Sequence, residues 1–230
     1  MSITTRILLW LFAGLLLFVA LVFGSHLSVQ LLFGSPPPSA ALLLVGGLQL
    51  VGTVALYRWL VKKSPAEYRP IHYAPQGWMR EAGIGLVVLA VFALLQFLVI
   101  IPATGGQQRA DVVANLAQLD GTTVGALGFL GLAVLGAVAE EIFVRGVFLR
   151  LLLSASGNHR LGIVLSVVVT AVLFGLAHGY QGWAGIVDTA LYGGILLSVL
   201  FVWRRSLIAP IVAHAGWNLV AGVWLWSLSG

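Results

Sequence analysis

Charged residues are scarce in this sequence, and cysteine is absent. Only 8% of the 230 residues are charged and 60% are hydrophobic, whereas soluble domains carry about 25% charged and about 45–50% apolar residues. So few charges could not cover the surface of a soluble fold, which excludes a soluble enzyme, a disordered chain and a nucleic-acid-binding protein. The missing cysteines exclude disulfides, thiol nucleophiles and cysteine-ligated metals. The composition therefore predicts a membrane protein.

Seven apolar stretches are long enough, or nearly so, to cross a bilayer core that needs about 20 helical residues. They cover residues 7–33, 40–61, 82–101, 122–149, 161–178, 183–203 and 207–228. The first stretch is too long for a signal-peptide core, which predicts a retained anchor. The fold class is therefore all-α, a polytopic membrane helix bundle. We expect residues 1–120 to supply three spans and a surface helix, and residues 121–230 a catalytic core of four spans.

The basic residues divide unevenly between the two sides of such a bundle. Seven spans place most of them on one side: Arg6, Arg58, Lys62, Lys63, Arg69, Arg80, Arg150, Arg160, Arg204 and Arg205. The other side receives Arg109. Because cytoplasmic loops carry an excess of Lys and Arg, we expect a cytoplasmic N-terminus and an external C-terminus. A small chain of this kind suits a prokaryotic inner (plasma) membrane.

The connection at residues 102–120 is polar but carries one apolar stripe. Val112, Val113, Leu116 and Leu119 fall on the same face of a helix. This pattern predicts a short helix that lies on the membrane surface.

Ionisable side chains inside an apolar span cost at least ~2.5–3.5 kcal/mol each, so they indicate function. In the fourth span, Glu141 and Arg145 are four residues apart and can pair on one helical face. Glu140 points about 100° away around the axis. One carboxylate can therefore be held by Arg145, while the other faces a cavity and acts as a general base. Alternatively, both glutamates only tie helices together through Arg145.

Polar residues also occur in the fifth and seventh spans. His178 ends the fifth span, where a solvated interfacial histidine is an equal alternative to a functional one. His214 and Asn218 share one face of the seventh span, and their alternative role is an interhelical hydrogen-bond pair. Asp188 in the sixth span has three possible positions: near the outer surface, which we favour, in the same cavity, or paired with Arg145.

Two hydrolytic chemistries fit these residues, and the sequence leaves both open. In one, Glu140, His178 and His214 bind a divalent metal such as zinc and leave a position for water. In the other, Glu140 and His178 activate water without a metal, while His214 and Asn218 donate hydrogen bonds to the developing oxyanion. Both would hydrolyse an amide within the membrane.

Residue counts at about 1.5 Å per residue give the depth of these groups. Glu140 lies about 15 Å from Arg150, and His214 about 13 Å from Arg205. These counts predict a site near mid-depth or in the half with many arginines. His178, about 27 Å from Arg160, disagrees with the other two.

The polar residues resemble the three motifs of the CAAX protease and bacteriocin-processing family of intramembrane proteases, E-E-x-x-x-R, F-x-x-x-H and H-x-x-x-N. The resemblance covers residues 125–220, and the motifs stand in the right order. They read Glu140-Glu141-Ile-Phe-Val-Arg145, Phe174-Gly-Leu-Ala-His178 and His214-Ala-Gly-Trp-Asn218.

The resemblance implies a role for each motif residue. Glu140 would be the water-activating base, and Glu141 and Arg145 would support it. His178 would orient water or bind metal. The remaining pair, His214 and Asn218, would stabilise the oxyanion or complete a metal site.

The resemblance implies an intramembrane endopeptidase whose substrate is a membrane-bound peptide or protein, with no nucleic-acid partner. Some family members cut beside a prenylated cysteine, and others are immunity proteins or scaffolds. Two alternatives therefore remain open: a transporter or proton-relay protein that uses the same polar residues, and a non-catalytic membrane scaffold or immunity protein. The sequence does not indicate an oligomeric state.

Overall fold

The computed structural model describes residues 3–63, 77–157 and 159–229, and these residues form helices without any strand. Within them we number eight helices, α1 to α8. Their α-helical bounds are α1 Ile3–Phe33, α2 Leu42–Lys63, α3 Trp78–Leu95, α4 Ala110–Leu116, α5 Thr123–Phe143, α6 Arg160–Ala177, α7 Gly182–Thr189 and α8 Ile208–Leu228.

Three helices continue beyond these bounds through a π-helical stretch. The stretches extend α3, α5 and α7 and cover Gln96–Ile100, Val144–Leu149 and Ala190–Leu196. Each returns to α-helix, at Ile101–Ala103, Arg150–Ala155 and Leu197–Arg204. Single 3₁₀ turns occur at Ser39–Ala41, Gly106–Gln108 and Gly179–Gln181.

Seven helices in the described part of the chain are long and apolar enough to cross a membrane, namely all except α4. This confirms the all-α polytopic fold that the hydrophobic stretches predicted. Of the basic residues used to orient the chain, Arg69 and the Lys63 side chain lie outside the described residues.

Local signals set the helix ends. Gly34 adopts a φ of 94°, a conformation that favours glycine, and the prolines that follow cannot continue α1. At the start of α5, the Thr122 hydroxyl accepts a hydrogen bond from the Gly125 amide at 2.9 Å. The ring of His159 caps α6 in the same way, since its Nδ1 accepts from the Gly162 amide at 3.1 Å.

Helix α5 lies at the centre of the bundle, with α2 and α8 packed against it, and α3 packs on the other face of α8. A Cβ at Gly46 would lie 2.9 Å from the Leu132 Cα, so only glycine permits this approach of α2 to α5. Helix α6 packs on the π-helical stretch of α7. Helices α2 and α3 thus contact the C-terminal helices α5 and α8 directly. The division at residue 120 stays a prediction.

The short helix α4 packs part of its apolar stripe against the bundle. Val112 is buried among Leu42, Phe129 and Leu225, with Leu116 packed against the same cluster, whereas Val113 is 53% exposed. Helix α4 therefore covers one end of the bundle, and its place at a membrane surface stays a prediction.

Candidate functional site

A cavity of about 790 Å³ lies between the helices and gathers most of the predicted site residues. Glu140, His178, His214 and Asn218 all line it. These residues come from α5, the end of α6 and α8, so tertiary packing brings together three separate parts of the sequence. Glu141 and Arg145 are fully buried behind the cavity wall.

Glu141, Arg145 and His214 form a buried charged cluster. Arg145 Nη1 donates to Glu141 Oε1 at 2.9 Å, which is the pair that the four-residue spacing predicted. The same oxygen lies 2.8 Å from His214 Nδ1. An ionised carboxylate only accepts hydrogen bonds, so His214 Nδ1 carries the proton and donates it to Glu141. The cluster therefore fixes the orientation of the His214 ring.

Phe174 completes the surroundings of this cluster. Its ring centroid lies 5.1 Å from the Arg145 guanidinium carbon, a cation–π distance, and 6.0 Å from the centre of the His214 ring. The Phe174 carbonyl lies 2.8 Å from His178 Nδ1. The first residue of the F-x-x-x-H motif thus contacts residues of all three motifs.

Glu140 is the carboxylate that remains open to the cavity. Its side chain is 31% exposed, whereas that of Glu141 is 0% exposed. Glu140 Oε2 lies 3.9 Å from His214 Nε2, which is too long for a direct hydrogen bond. The two adjacent glutamates therefore have the different surroundings that their angular separation on the helix predicted.

His178 and Asn218 are also fixed by backbone groups. His178 Nδ1 donates a hydrogen bond to the Phe174 carbonyl, because a carbonyl oxygen can only accept. Nε2 of the neutral His178 ring is then left as an acceptor. Asn218 Nδ2 donates one hydrogen to the Ala133 carbonyl of α5 at 3.0 Å. Its second amide hydrogen is left for another acceptor.

The candidate metal ligands Glu140, His178 and His214 line the same cavity but do not form a coordination group. Among the residues that the structure describes, no three His, Asp or Glu side chains are close enough to hold one metal ion. The nearest oxygen of Glu140 and nitrogen of His214 are 3.9 Å apart. As arranged, these side chains do not fit the tetrahedral zinc site that the sequence allowed.

Each of the three π-helical stretches carries a polar residue at the site. The sequence patterns missed two of these residues, Gln96 and Tyr192. Gln96 donates to Asp188 Oδ1 at 2.6 Å, and the Tyr192 hydroxyl donates to the Ala213 carbonyl at 2.9 Å, next to His214. Arg145 occupies the third stretch. π-Helical turns inside α-helices frequently mark functional sites. A hydrophobicity pattern could not reveal them, although Gln96 inside an apolar span was a usable signal.

Asp188 belongs to a network at the mouth of the cavity. Arg109 Nη2 donates to Asp188 Oδ2 at 3.1 Å and to Asp111 Oδ2 at 2.8 Å, and Arg109 Nη1 donates to Thr104 at 3.0 Å. Asp188 thus pairs with Arg109 and not with Arg145. Asp188 also lines the cavity, and its side chain is 18% exposed. The position near the outer surface that we favoured stays a prediction.

The cavity extends to the end of the bundle that carries α4. Arg109, Asp111 and Tyr180 from this end line it together with Glu140. The residue counts predicted a site near mid-depth or in the arginine-rich half. His178 follows the 18 residues of α6 and still lines the same cavity as Glu140 and His214. The depth of the site in a membrane stays a prediction.

These observations define a class of protein, namely a helical membrane bundle with an internal cavity that is lined by glutamate and histidine. Residues 122–220 match a family model described as "Type II CAAX prenyl endopeptidase Rce1-like". The match covers the three motifs and all six candidate residues. It confirms the resemblance to the CAAX protease and bacteriocin-processing family.

A curated protein shows the same similarity. The chain is 23% identical, over 133 residues, to the membrane-embedded CAAX protease MroQ of Staphylococcus aureus (strain USA300). The aligned part is 57% of this chain and 51% of the relative, so the chain spans about half the length of that protein. No solved structure matches the chain significantly. Together these matches support an intramembrane protease at the level of the family.

Proposed function

We propose that this protein is an intramembrane endopeptidase that cleaves a membrane-associated peptide or protein with a water molecule activated by Glu140. The observation that carries the proposal is the contrast between two adjacent carboxylates. Glu141 is fully buried and paired with Arg145, whereas Glu140 faces the cavity beside two histidines. A carboxylate in such a cavity is suited to general-base catalysis.

The attacking water would bind between Glu140 and His178. Glu140 would take one proton from the water. His178 Nε2 would accept a hydrogen bond from the other hydrogen of the water, because His178 Nδ1 already donates to the Phe174 carbonyl. The protonated Glu140 would then give its proton to the amine that leaves. These steps conserve protons, and Glu140 acts first as base and then as acid.

His214 and Asn218 would stabilise the negative charge on the substrate carbonyl oxygen. Asn218 keeps one amide hydrogen free, because the other is donated to Ala133. For this role His214 would donate a hydrogen bond from Nε2, while its Nδ1 donates to Glu141 and fixes the orientation of the ring. Two donors held on one helix in a cavity of low dielectric are typical of an oxyanion site.

This mechanism uses no metal, in keeping with the donor positions described above. A metal-bound water is the alternative, and it would require Glu140, His178 and His214 to move into one coordination sphere. We further propose the orientation that the basic residues indicate, with a cytoplasmic N-terminus and an external C-terminus in an inner membrane. The Arg109 end of the cavity then faces the external side.

The test is cleavage by purified protein in liposomes. The probe is a pool of quenched-fluorescent peptides, each with an apolar anchor of about 20 residues followed by a variable segment. We expect wild type to cleave members of the pool and Glu140→Gln to lower kcat about 10²- to 10⁴-fold. The matched control is Glu81→Gln, because Glu81 also lies in a span but pairs with Arg204 at the opposite end of the bundle.

The same assay separates the alternatives. Equal cleavage by wild type and Glu140→Gln would contradict the role of Glu140. No cleavage of any peptide would favour the transporter or scaffold function instead. Activity that a chelator removes and zinc restores would replace the metal-free mechanism with the metal-bound one.

A further inference from the structure

Gln49 is a buried amide that the catalytic proposal does not use. It lies on α2, outside residues 122–220 that match the family, and only 7% of it is exposed. Its side chain lines the same cavity as Glu140. No hydrogen bond joins it to any residue in the described part of the chain. The amide atoms of Gln49 are not sealed in the interior but open to the cavity, where a bound molecule can form hydrogen bonds with them.

The part of α5 next to Gln49 is lined by small residues. Ala133, Gly136 and Ala137 line the cavity together with Glu140, at the spacing of one helical face. A Cβ added at Gly136 would lie 3.4 Å from Gln49 Oε1 and within 4 Å of no other atom. Gly136 therefore faces the cavity, and we call the strip of small cavity-lining residues on α5 from Ala133 to Glu140 the α5 groove.

We propose that this groove binds the substrate backbone and that Gln49 hydrogen-bonds to it, an inference that rests on the proposed protease function. A side-chain amide offers both a donor and an acceptor, which matches the C=O and N–H groups of an extended peptide. Asn218 approaches the same helix from the other side of the cavity and bonds to Ala133. The two amides therefore flank the groove.

The helix geometry gives the position of the bound residue. Gly136 and Glu140 are four residues apart, which is about 6 Å along α5. An extended peptide rises about 3.3 Å per residue. Gln49 therefore binds the substrate about two residues from the bond that Glu140 cleaves.

A purely structural role for Gln49 does not explain these observations. The Gln49 amide forms no hydrogen bond that holds the described helices together, so an apolar side chain of the same length would fill the position equally well. Gln49→Met should therefore fold at least as well as wild type. Gly136→Ala should also fold, since the added methyl meets only an ordinary contact and alanine favours a helix.

The experiment measures kcat and KM for the pool peptide that wild type cleaves fastest. We expect Gln49→Met to raise KM about tenfold with kcat within about twofold, because a contact made equally in the ground and transition states affects only KM. Gly136→Ala should raise KM as well, by narrowing the groove. The matched control is Gly83→Ala, an exposed helix glycine with no atom near its added Cβ, which should leave both constants unchanged.

A second measurement identifies the contact. The amide bonds of the same peptide are replaced one at a time by esters, which removes one N–H each. We expect one ester, about two residues from the cleaved bond, to raise KM in wild type but not in Gln49→Met. Unchanged KM in Gln49→Met, or equal sensitivity of both proteins to every ester, would overturn this inference while leaving the protease function intact. Absence of cleavage by wild type would overturn both.

Discussion

The buried cluster behind the cavity makes a strong prediction about stability. Arg145 and Glu141 are both 0% exposed and share a hydrogen bond of 2.9 Å. Arg145→Met would leave the Glu141 carboxylate with His214 as its hydrogen-bond partner. Glu141→Gln would leave the Arg145 charge beside the Phe174 ring without the carboxylate that it binds. Each single change therefore leaves one buried charge without its counter-ion.

The size of the effect follows from this burial. Breaking one partner of a buried ion pair costs about 3–5 kcal/mol, whereas removing both charges is far less harmful. We expect each single variant to lose about 3–5 kcal/mol of unfolding free energy. The double variant should lose less than either single variant, so that the coupling energy is at least as large as one single loss, about 3 kcal/mol or more.

The assay is equilibrium unfolding in mixed micelles with increasing SDS, followed by the fluorescence of the eight tryptophans. The matched control is the Glu81–Arg204 pair, whose side chains are 13% and 17% exposed. Its coupling should be below about 1 kcal/mol, because solvent screens a partly exposed pair. Additive losses for Arg145→Met and Glu141→Gln would refute the reasoning, since they would show that the two charges do not stabilise each other.

Three further predictions concern the site and the residues that surround it. Asn218→Ala should lower kcat about 10²- to 10³-fold in the peptide-cleavage assay, because the amide stabilises the oxyanion. Loss of its hydrogen bond to Ala133 should cost only about 1 kcal/mol in the SDS titration. Tyr192→Phe leaves the Ala213 carbonyl without its donor and should cost about 1 kcal/mol in the SDS titration. Hydrogen bonds from Thr122 lower the pKa of Asp120. Ionised Asp120 therefore contributes its full stabilising effect above the pKa of the unfolded chain, about 3.9. The effect is lost as the pH falls through the lower pKa of the folded protein. Asp120→Asn should remove this acid dependence of the unfolding midpoint, and an identical pH profile for the variant would contradict it.

The sequence by itself determined the membrane class, the seven spans and the three motifs. The spans were readable because about 20 apolar residues in a row have only one stable form in lipid, a helix. The Glu141–Arg145 pair was also readable, because residues four apart lie on one face of a single helix. These features depend on local geometry, which the spacing of residues along the chain fixes.

Only the tertiary structure decided which polar groups meet between helices. The pairing of Asp188 with Arg109 joins positions 79 residues apart, and the approach of Gln49 to Gly136 joins α2 to α5. Helix rotation, the π-helical stretches and the burial of α4 set these contacts. None of them follows from hydrophobic periodicity, because a helix in lipid can pack through several faces with similar apolar area. The same packing brings His178 into one cavity with Glu140 and His214, although their residue counts along the spans disagreed.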